Sequence, residues 1–350
     1  MADDTLLDKV YGLSDLEHAI LLCLVSREHG LLSTPTDAID DLVQELQLVA
    51  SKTFGLKCAV VDCNPDTTLE DFASALLSSP KPPGSSPSSP TRSDSYFVSS
   101  PQRPSPPQIA NCVLAKNLDS APRTVQIQAL ELLRTRRIFT RTSVQTAPKQ
   151  FVFVPVLEAE SGGEAHVTAH LNDFFSIAHW HDPHDGFVNL EEMDGVEADE
   201  TASTGSVVRS KHLGDVTSKP PLISEAEISQ FAQLSQQVQV DIDVVRFQMN
   251  IISFLRMHRA VAQGITPAAT KHFDKLMRCL APLHKLDYVT PALVGLAARK
   301  VYLHRIRITA PEKERSMQWG SKLEAVEAML EDVGPEEVIE DVLEMVTAPL

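Results

Sequence analysis

The chain of 350 residues has few of the features that would assign it to a simple class. Five cysteines, Cys23, Cys58, Cys63, Cys112 and Cys279, include no C-x-x-C pair, and their number is odd. That usage argues against a disulfide scaffold and for a reducing compartment, with cysteine serving as a small buried hydrophobe. No apolar run approaches the roughly 20 residues that a membrane helix needs, so no membrane insertion is expected. The opening Met1-Ala2-Asp3-Asp4 is acidic and has no apolar core behind it, unlike a secretory signal. Basic residues are in deficit, 31 Lys and Arg against 47 Asp and Glu, for a net charge of −16. A general nucleic-acid binder needs the opposite balance. No G-x-S-x-G or G-x-G-x-x-G occurs, so nucleophile-elbow and dinucleotide signatures are absent. These absences predict a soluble, intracellular, most simply cytoplasmic protein.

What is present is a core of ordinary size, with 43% hydrophobic residues, enough for two domains plus inserts. The stretch from Ile109 to Leu157 organises it. Ile109 and Cys112 to Ala115 read as an apolar strand, and Lys116 to Pro122 as a turn. A helix from about Pro122 to Arg137 follows, with Val125, Ala129, Leu132 and Leu133 on one face. A polar, hairpin-like run from Thr140 to Lys149 then leads to a second apolar strand, Phe151 to Leu157. Strand, helix, strand predicts an α/β fold with a parallel sheet.

Upstream, Ser14-x-x-Glu17 is a capping box that opens a helix along Leu16, Ile20 and Leu24, with Gly30 as its expected stop. Leu31-Leu32 is a short apolar piece, followed by Ser33-Thr34-Pro35-Thr36-Asp37 and a helix carrying Ile39, Leu42, Val43, Leu46 and Val49. Gly55 to Cys63 reads as a buried strand, and Asn64 to Phe72 as its polar exit and a helix start. Pro80 to Pro107 is Ser/Pro-rich with almost no apolar content, so a disordered linker is expected there, its Ser-Pro pairs open to phosphorylation. Phe175 to Pro183 is a strand and turn. If it is extended, His179 and His181 share a face and could ligate Zn²⁺ with His184, or with His166 and His170; packed or solvated histidines are the simpler alternative. Ile223 to Ile308 reads as helical throughout, with Ile242, Val245, Met249, Ile252 and Leu255 as one stripe and Phe273, Leu276, Met277 and Leu280 as another. From Pro311 the pattern continues as acidic amphipathic helix (Leu323, Val326, Leu330, Val333), then Val338, Ile339, Val342, Leu343 and Val346 after Gly334-Pro335. This end is expected to pack on the preceding helices or to dock a partner helix.

Several of these segments resemble AAA+ ATPases of the MoxR and magnesium chelatase I-subunit group. Leu114-Ala115-Lys116-Asn117-Leu118-Asp119-Ser120-Ala121-Pro122 with Gln126-x-Gln128-Ala129-Leu130-Glu131 is similar to the Walker B segment L-A-D-E-I-N-R-A-P with Q-x-A-L-L-E. Gly264-Ile265-Thr266-Pro267-Ala268-Ala269, Asp287-Tyr288-Val289-Thr290-Pro291 and His304-Arg305-Ile306 resemble the lid motifs G-[AS]-S-P-R-A, R-D-Y-V-T-P and H-R-[IL]. The resemblance implies an AAA+-type parallel sheet flanked by helices, then an all-α lid. The implied organisation is a first core half at 1–79, an insert at 80–108 and a second core half at 109–190. A flexible acidic insert at 191–221, a helical lid at 222–310 and acidic amphipathic helices at 311–350 complete it.

The functional residues of the resembling motifs are replaced. Lys116 and Asn117 stand where the family has the Mg²⁺-holding Asp and the water-activating Glu. Ser33, Thr34, Pro35, Thr36 and Asp37 occupy the phosphate-loop position, yet between Leu31 and Lys52 there is neither Gly nor Lys. Asp37, Asp40 and Asp41 crowd the following helix start and compete with a bound anion. The sensor-1 strand reads Val154-Pro155-Val156-Leu157-Glu158 without its Asn. Asp173 replaces the arginine of L-D-R-F, and Ala268 the sensor-2 arginine. The expected function is therefore a non-hydrolysing scaffold or regulatory subunit acting through protein partners, among them other AAA+ or chelatase-type subunits, with no cofactor and no nucleic acid. The alternative is a magnesium-chelatase-like ATPase subunit that uses ATP and Mg²⁺ to drive Mg²⁺ insertion into protoporphyrin. A third reading is a metal-binding histidine cluster.

Overall fold

The computed structural model describes residues 4–78, 108–140, 143–193 and 220–349. Apart from their margins, the inserts expected at 80–108 and 191–221 lie outside the described residues. The centre is a five-stranded, all-parallel sheet: β1 (His29–Thr34), β2 (Cys58–Asp62), β3 (Cys112–Lys116), β4 (Val152–Glu158) and β5 (Phe175–Trp180). Its strand order is β2-β3-β4-β1-β5. The two strands of the organising stretch are therefore neighbours, with Leu114 level with Val154.

The sheet is covered on both faces, and the period of 2 divides its side chains between them. Cys112, Leu114, Val152, Val154 and Val156 enter one core with helices α1 (Asp4–Tyr11), α2 (Asp15–Ser26) and α3 (Ile39–Leu48). Val113, Ala115, Phe153 and Leu157 enter the other, with α4 (Leu69–Ala75) and α5 (Arg123–Thr135). The first core continues without a break into the C-terminal helices α6 (Glu225–Gln237), α7 (Ile242–Met257), α8 (Pro267–Leu283) and α9 (Pro291–Tyr302). Helices α10 (Leu323–Leu330) and α11 (Pro335–Met345) close the chain. No described helix is long and apolar enough to cross a membrane.

Several local expectations are corrected. The capping box forms, with Ser14 N–H on Glu17 Oε2 at 2.8 Å, but Gly30 does not stop α2. Arg27 ends it in the left-handed conformation, and Gly30 lies inside β1. There a Cβ would meet Cys23 Sγ at 2.7 Å, so the glycine lets α2 press onto the strand. Leu31-Leu32 is thus part of a six-residue buried strand. β2 is an edge strand whose Cys58, Ala59 and Val60 are only half-buried. Pro122 is the N-cap of α5 and not in its first turn. The 223–308 region is interrupted by an antiparallel strand pair, Val261–Gln263 with Arg307–Ile308, and the 311–350 region breaks into 3-10 turns before α10. The apolar stripe of α7 is also displaced. Val244, Phe247, Ile251, Ile252 and Leu255 are buried, whereas Ile242 (62% exposed) and Met249 (44%) face solvent. The hairpin-like run is a real pair, Arg137–Phe139 with Val144–Thr146, and α11 does pack on the preceding helices through Val338, Ile339 and Val342.

Two buried histidines tie stability to pH. His29 Nδ1 accepts from the Phe153 N–H at 3.2 Å, and His304 Nε2 donates to the Phe175 carbonyl at 3.0 Å. Burial, reinforced by nearby cations, lowers the pKa of His29 to about 3 and that of His304 well below its ordinary value. Between the ordinary 6.5 and about 3 the unfolded chain takes up protons that the folded one refuses. Stability is therefore full above pH 6.5 and falls with acidification, by about 1.4 kcal/mol per pH unit for each such histidine. Urea midpoints at pH 7, 6 and 5 should decrease in that order; constant midpoints would contradict the assignment.

Candidate nucleotide-position site

The C-terminal ends of β1, β3 and β4 meet at one edge of the sheet, where parallel α/β sheets place their ligands. Ser33 and Thr34 end β1 and are buried. Thr34 Oγ1 donates to the His181 carbonyl at 3.0 Å, and the Ser33 carbonyl accepts from the His181 N–H at 2.8 Å. Pro35 turns the chain, Thr36–Ala38 form a single 3-10 turn, and α3 begins. No side chain caps α3, and Asp40 and Asp41 lie in its first turn.

Opposite stands the end of β3. Lys116 Nζ donates to Asp40 Oδ1 at 2.5 Å. That bond to Asp40 raises the pKa of Lys116, against the effect of its own burial, so the amine is a fixed cation. Asn117 adopts a left-handed backbone, φ 51°, where Asn is among the tolerated residues. Its Nδ2 donates to Glu158 Oε1 at 2.8 Å, while Thr36 Oγ1 donates to Glu158 Oε2 at 3.1 Å. Glu158, at the tip of β4, therefore joins Thr36, after β1, to Asn117, after β3, through its two oxygens. The signal for it in the sequence is a carboxylate at the end of an apolar strand.

At this edge the carboxylate of Asp40 lies on the helix side and the ammonium of Lys116 on the strand side, each held by the other. Three groups here are partnered internally, Lys116 with Asp40, and Thr36 and Asn117 with Glu158, whereas Ser33 Oγ and Asn117 Oδ1 are buried without a hydrogen-bond partner among the described residues. A phosphate approaching α3 meets Asp37, Asp40 and Asp41, and a cation approaching β3 meets an ammonium.

The other two predicted positions lie elsewhere, and they come together. Asp173 Oδ1 accepts from Thr266 Oγ1, the α8 N-cap, at 2.6 Å and lies 3.6 Å from Arg305 Nε. Ala268 is in the first turn of that same helix. Asp173 thus holds the end of α8 that carries Ala268. The histidines do not assemble. His179 and His181 have ring centroids 6.3 Å apart, but His179 Nδ1 is bonded to Lys300 Nζ at 3.0 Å and His181 packs on Phe187 at 4.9 Å. His184 is exposed in the turn after them. Among the described residues, no three His, Cys, Asp or Glu side chains are placed to hold a metal ion.

Comparison with known proteins gives two matches. The AAA lid domain family matches residues 253–327, from within α7 to within α10. A crystal structure at 2.00 Å of a protein from Cytophaga hutchinsonii, provisionally described as an ATPase, superposes with a TM-score of 0.64. It is 12% identical, over 99% of this chain and 96% of that one. A search of curated proteins gives no significant match. The parallel sheet flanked by helices, followed by an AAA lid domain, is the AAA+ fold.

Proposed function

We propose that this chain is a non-hydrolysing AAA+ protein of the MoxR and magnesium chelatase I-subunit group, acting as a scaffold or regulatory subunit through protein partners. One observation carries the reading: the Asp40–Lys116 pair, with Glu158 bridging Thr36 and Asn117. Phosphoryl transfer needs a phosphate cradle, a lysine, a metal ligand, a water-positioning group and a charge-stabilising arginine acting together. Here the first turn of α3 carries Asp40 and Asp41, whose charge opposes an incoming phosphate although neither caps the helix. A bound triphosphate would have to break three internal bonds and sit among three aspartates.

A partner surface is available for such a role. The second apolar face of α7 leaves Ile242, Met249 and Met257 44 to 62% exposed. Met257 lines a groove with Phe254, Met329, Leu330, Val333 and Met345, and methionine-rich grooves adapt to helical partners. Residues 311–350, which form one wall, carry eleven Asp and Glu against three Lys and Arg. That balance favours a basic amphipathic helix over a second copy of this acidic chain.

Titration of the purified protein with a fluorescent ATP analogue, with and without Mg²⁺, tests the reading alongside phosphate release. The expected result is no saturation at millimolar nucleotide and no turnover. Saturable, Mg²⁺-dependent binding with phosphate release would overturn it.

A further inference from the structure

Two cysteines stand side by side at the start of neighbouring strands. Cys58 opens β2, Cys112 opens β3, and the two are register partners in the parallel sheet. Register partners on adjacent strands point to the same face, and both side chains belong to the core that holds α1, α2 and α3. Adjacent strands lie about 4.8 Å apart, within the Cα separation of about 4.4 to 6.8 Å over which disulfides form. β2 is the edge strand, tied to the sheet through β3, so it can make the small further approach that a sulfur–sulfur bond needs. The other cysteines are placed differently. Cys23 Sγ lies against Gly30 of β1, two strands beyond β3; Cys63 belongs to the opposite core, and Cys279 lies in α8.

The pair is asymmetric. Cys58 is half-buried, whereas Cys112 is completely buried. The neighbouring Cys58 side chain, and then burial, hold the Cys112 thiol well above its ordinary pKa. Cys112 therefore keeps its proton, and Cys58 is the thiol that meets a reagent first. We propose that Cys58 and Cys112 form a peroxide-sensitive dithiol that closes to a disulfide between β2 and β3. The Cys58 sulfur attacks one oxygen of hydrogen peroxide and the O–O bond breaks. The departing hydroxide takes the thiol proton and leaves as water, and Cys58 becomes a sulfenic acid. The Cys112 sulfur then displaces the sulfenic oxygen, which departs as a second water carrying the Cys112 proton. The two thiols lose two electrons in all, and the peroxide takes them up. A free thiol reverses the bond by exchange, which suits the transient use of disulfides in a reducing compartment. Both cysteines lie at the opposite end of the strands from Lys116 and Glu158, so the reaction does not depend on whether the chain binds nucleotide.

The test is treatment of the native, reduced full chain with hydrogen peroxide, read by mass spectrometry. Remaining thiols are alkylated, and the chain is cleaved before Asp62, which separates Cys58 from Cys63. Expected are the loss of two thiols, a linked peptide pair joining Cys58 to Cys112, and recovery of both thiols on adding dithiothreitol. Cys58→Ser should abolish the bond, and Cys112→Ala should leave a sulfenic acid at Cys58 that dimedone traps. Retention of all five thiols, a disulfide through Cys23, Cys63 or Cys279 in place of this one, or sulfinic acid at Cys58 without a disulfide would each overturn the proposal. Should either variant fail to fold, the linked peptides from the unaltered protein decide by themselves.

Discussion

Replacing Arg305 with Met should destabilise the folded protein by about 3 to 5 kcal/mol, the cost of breaking a buried charged network from one side. Arg305 is 3% exposed. Its guanidinium donates to the Val301 carbonyl at 2.5 Å, to the Phe175 carbonyl, and to the Asp173 carbonyl at 3.3 Å, beside the Asp173 carboxylate. Methionine fills similar space but donates nothing, so the carbonyls at the start of β5 and the end of α9 would stay buried without a partner. Burial depresses the Arg305 pKa to about 10, with Asp173 acting in the opposite sense. The group therefore remains charged throughout the neutral range. The same site bonds Thr266 through Asp173, so the damage should reach the seating of α8. Urea unfolding followed by circular dichroism would measure the loss. A change below about 1 kcal/mol, the worth of an ordinary hydrogen bond, would show that the network carries little.

Glu45→Ala should cost about 3 kcal/mol, for a related reason. Glu45 lies in α3, completely buried, where a glutamate is rare unless partnered. Its Oε1 accepts from the Asn189 backbone N–H at 3.1 Å and from Asn189 Nδ2 at 2.9 Å, and its Oε2 from the Leu190 N–H at 2.9 Å. It thus satisfies the free N–H groups at the start of the helical turns at 188–193. Alanine would leave these donors buried and empty, and hydrogen exchange at 188–193 should accelerate more than elsewhere. Glu45→Gln keeps one accepting oxygen and should lose less. Equal exchange in the variant and the unaltered protein would refute the capping role.

Local rules made much of this protein legible from sequence. The capping box at Ser14 and Glu17 is a contact between residues three apart, so it forms wherever that helix forms. The alternating strands from Cys112 and Val152, buried on both faces, read correctly because apolar runs of that length bounded by turns have few other uses. The stripe on α8 was clear as well, since Phe273, Leu276, Met277 and Leu280 are the only large apolar side of that helix.

Sequence by itself thus determined most of the helices and strands and that the sheet is parallel, because these depend on contacts close along the chain or on residue type. Tertiary structure alone decided the rest. Which of the two apolar faces of α7 is buried depends on what packs against it, and Ile242 and Met249 turned out to face solvent. Gly30 reads as a helix stop until Cys23 Sγ is seen against it. Lys116 meets Asp40 across 76 positions, Glu158 meets Thr36 across 122, and Arg305 reaches Asp173 across 132. Such pairs carry no periodicity. They exist only once the sheet has brought the ends of β1, β3 and β4 to one edge and seated the lid against β5.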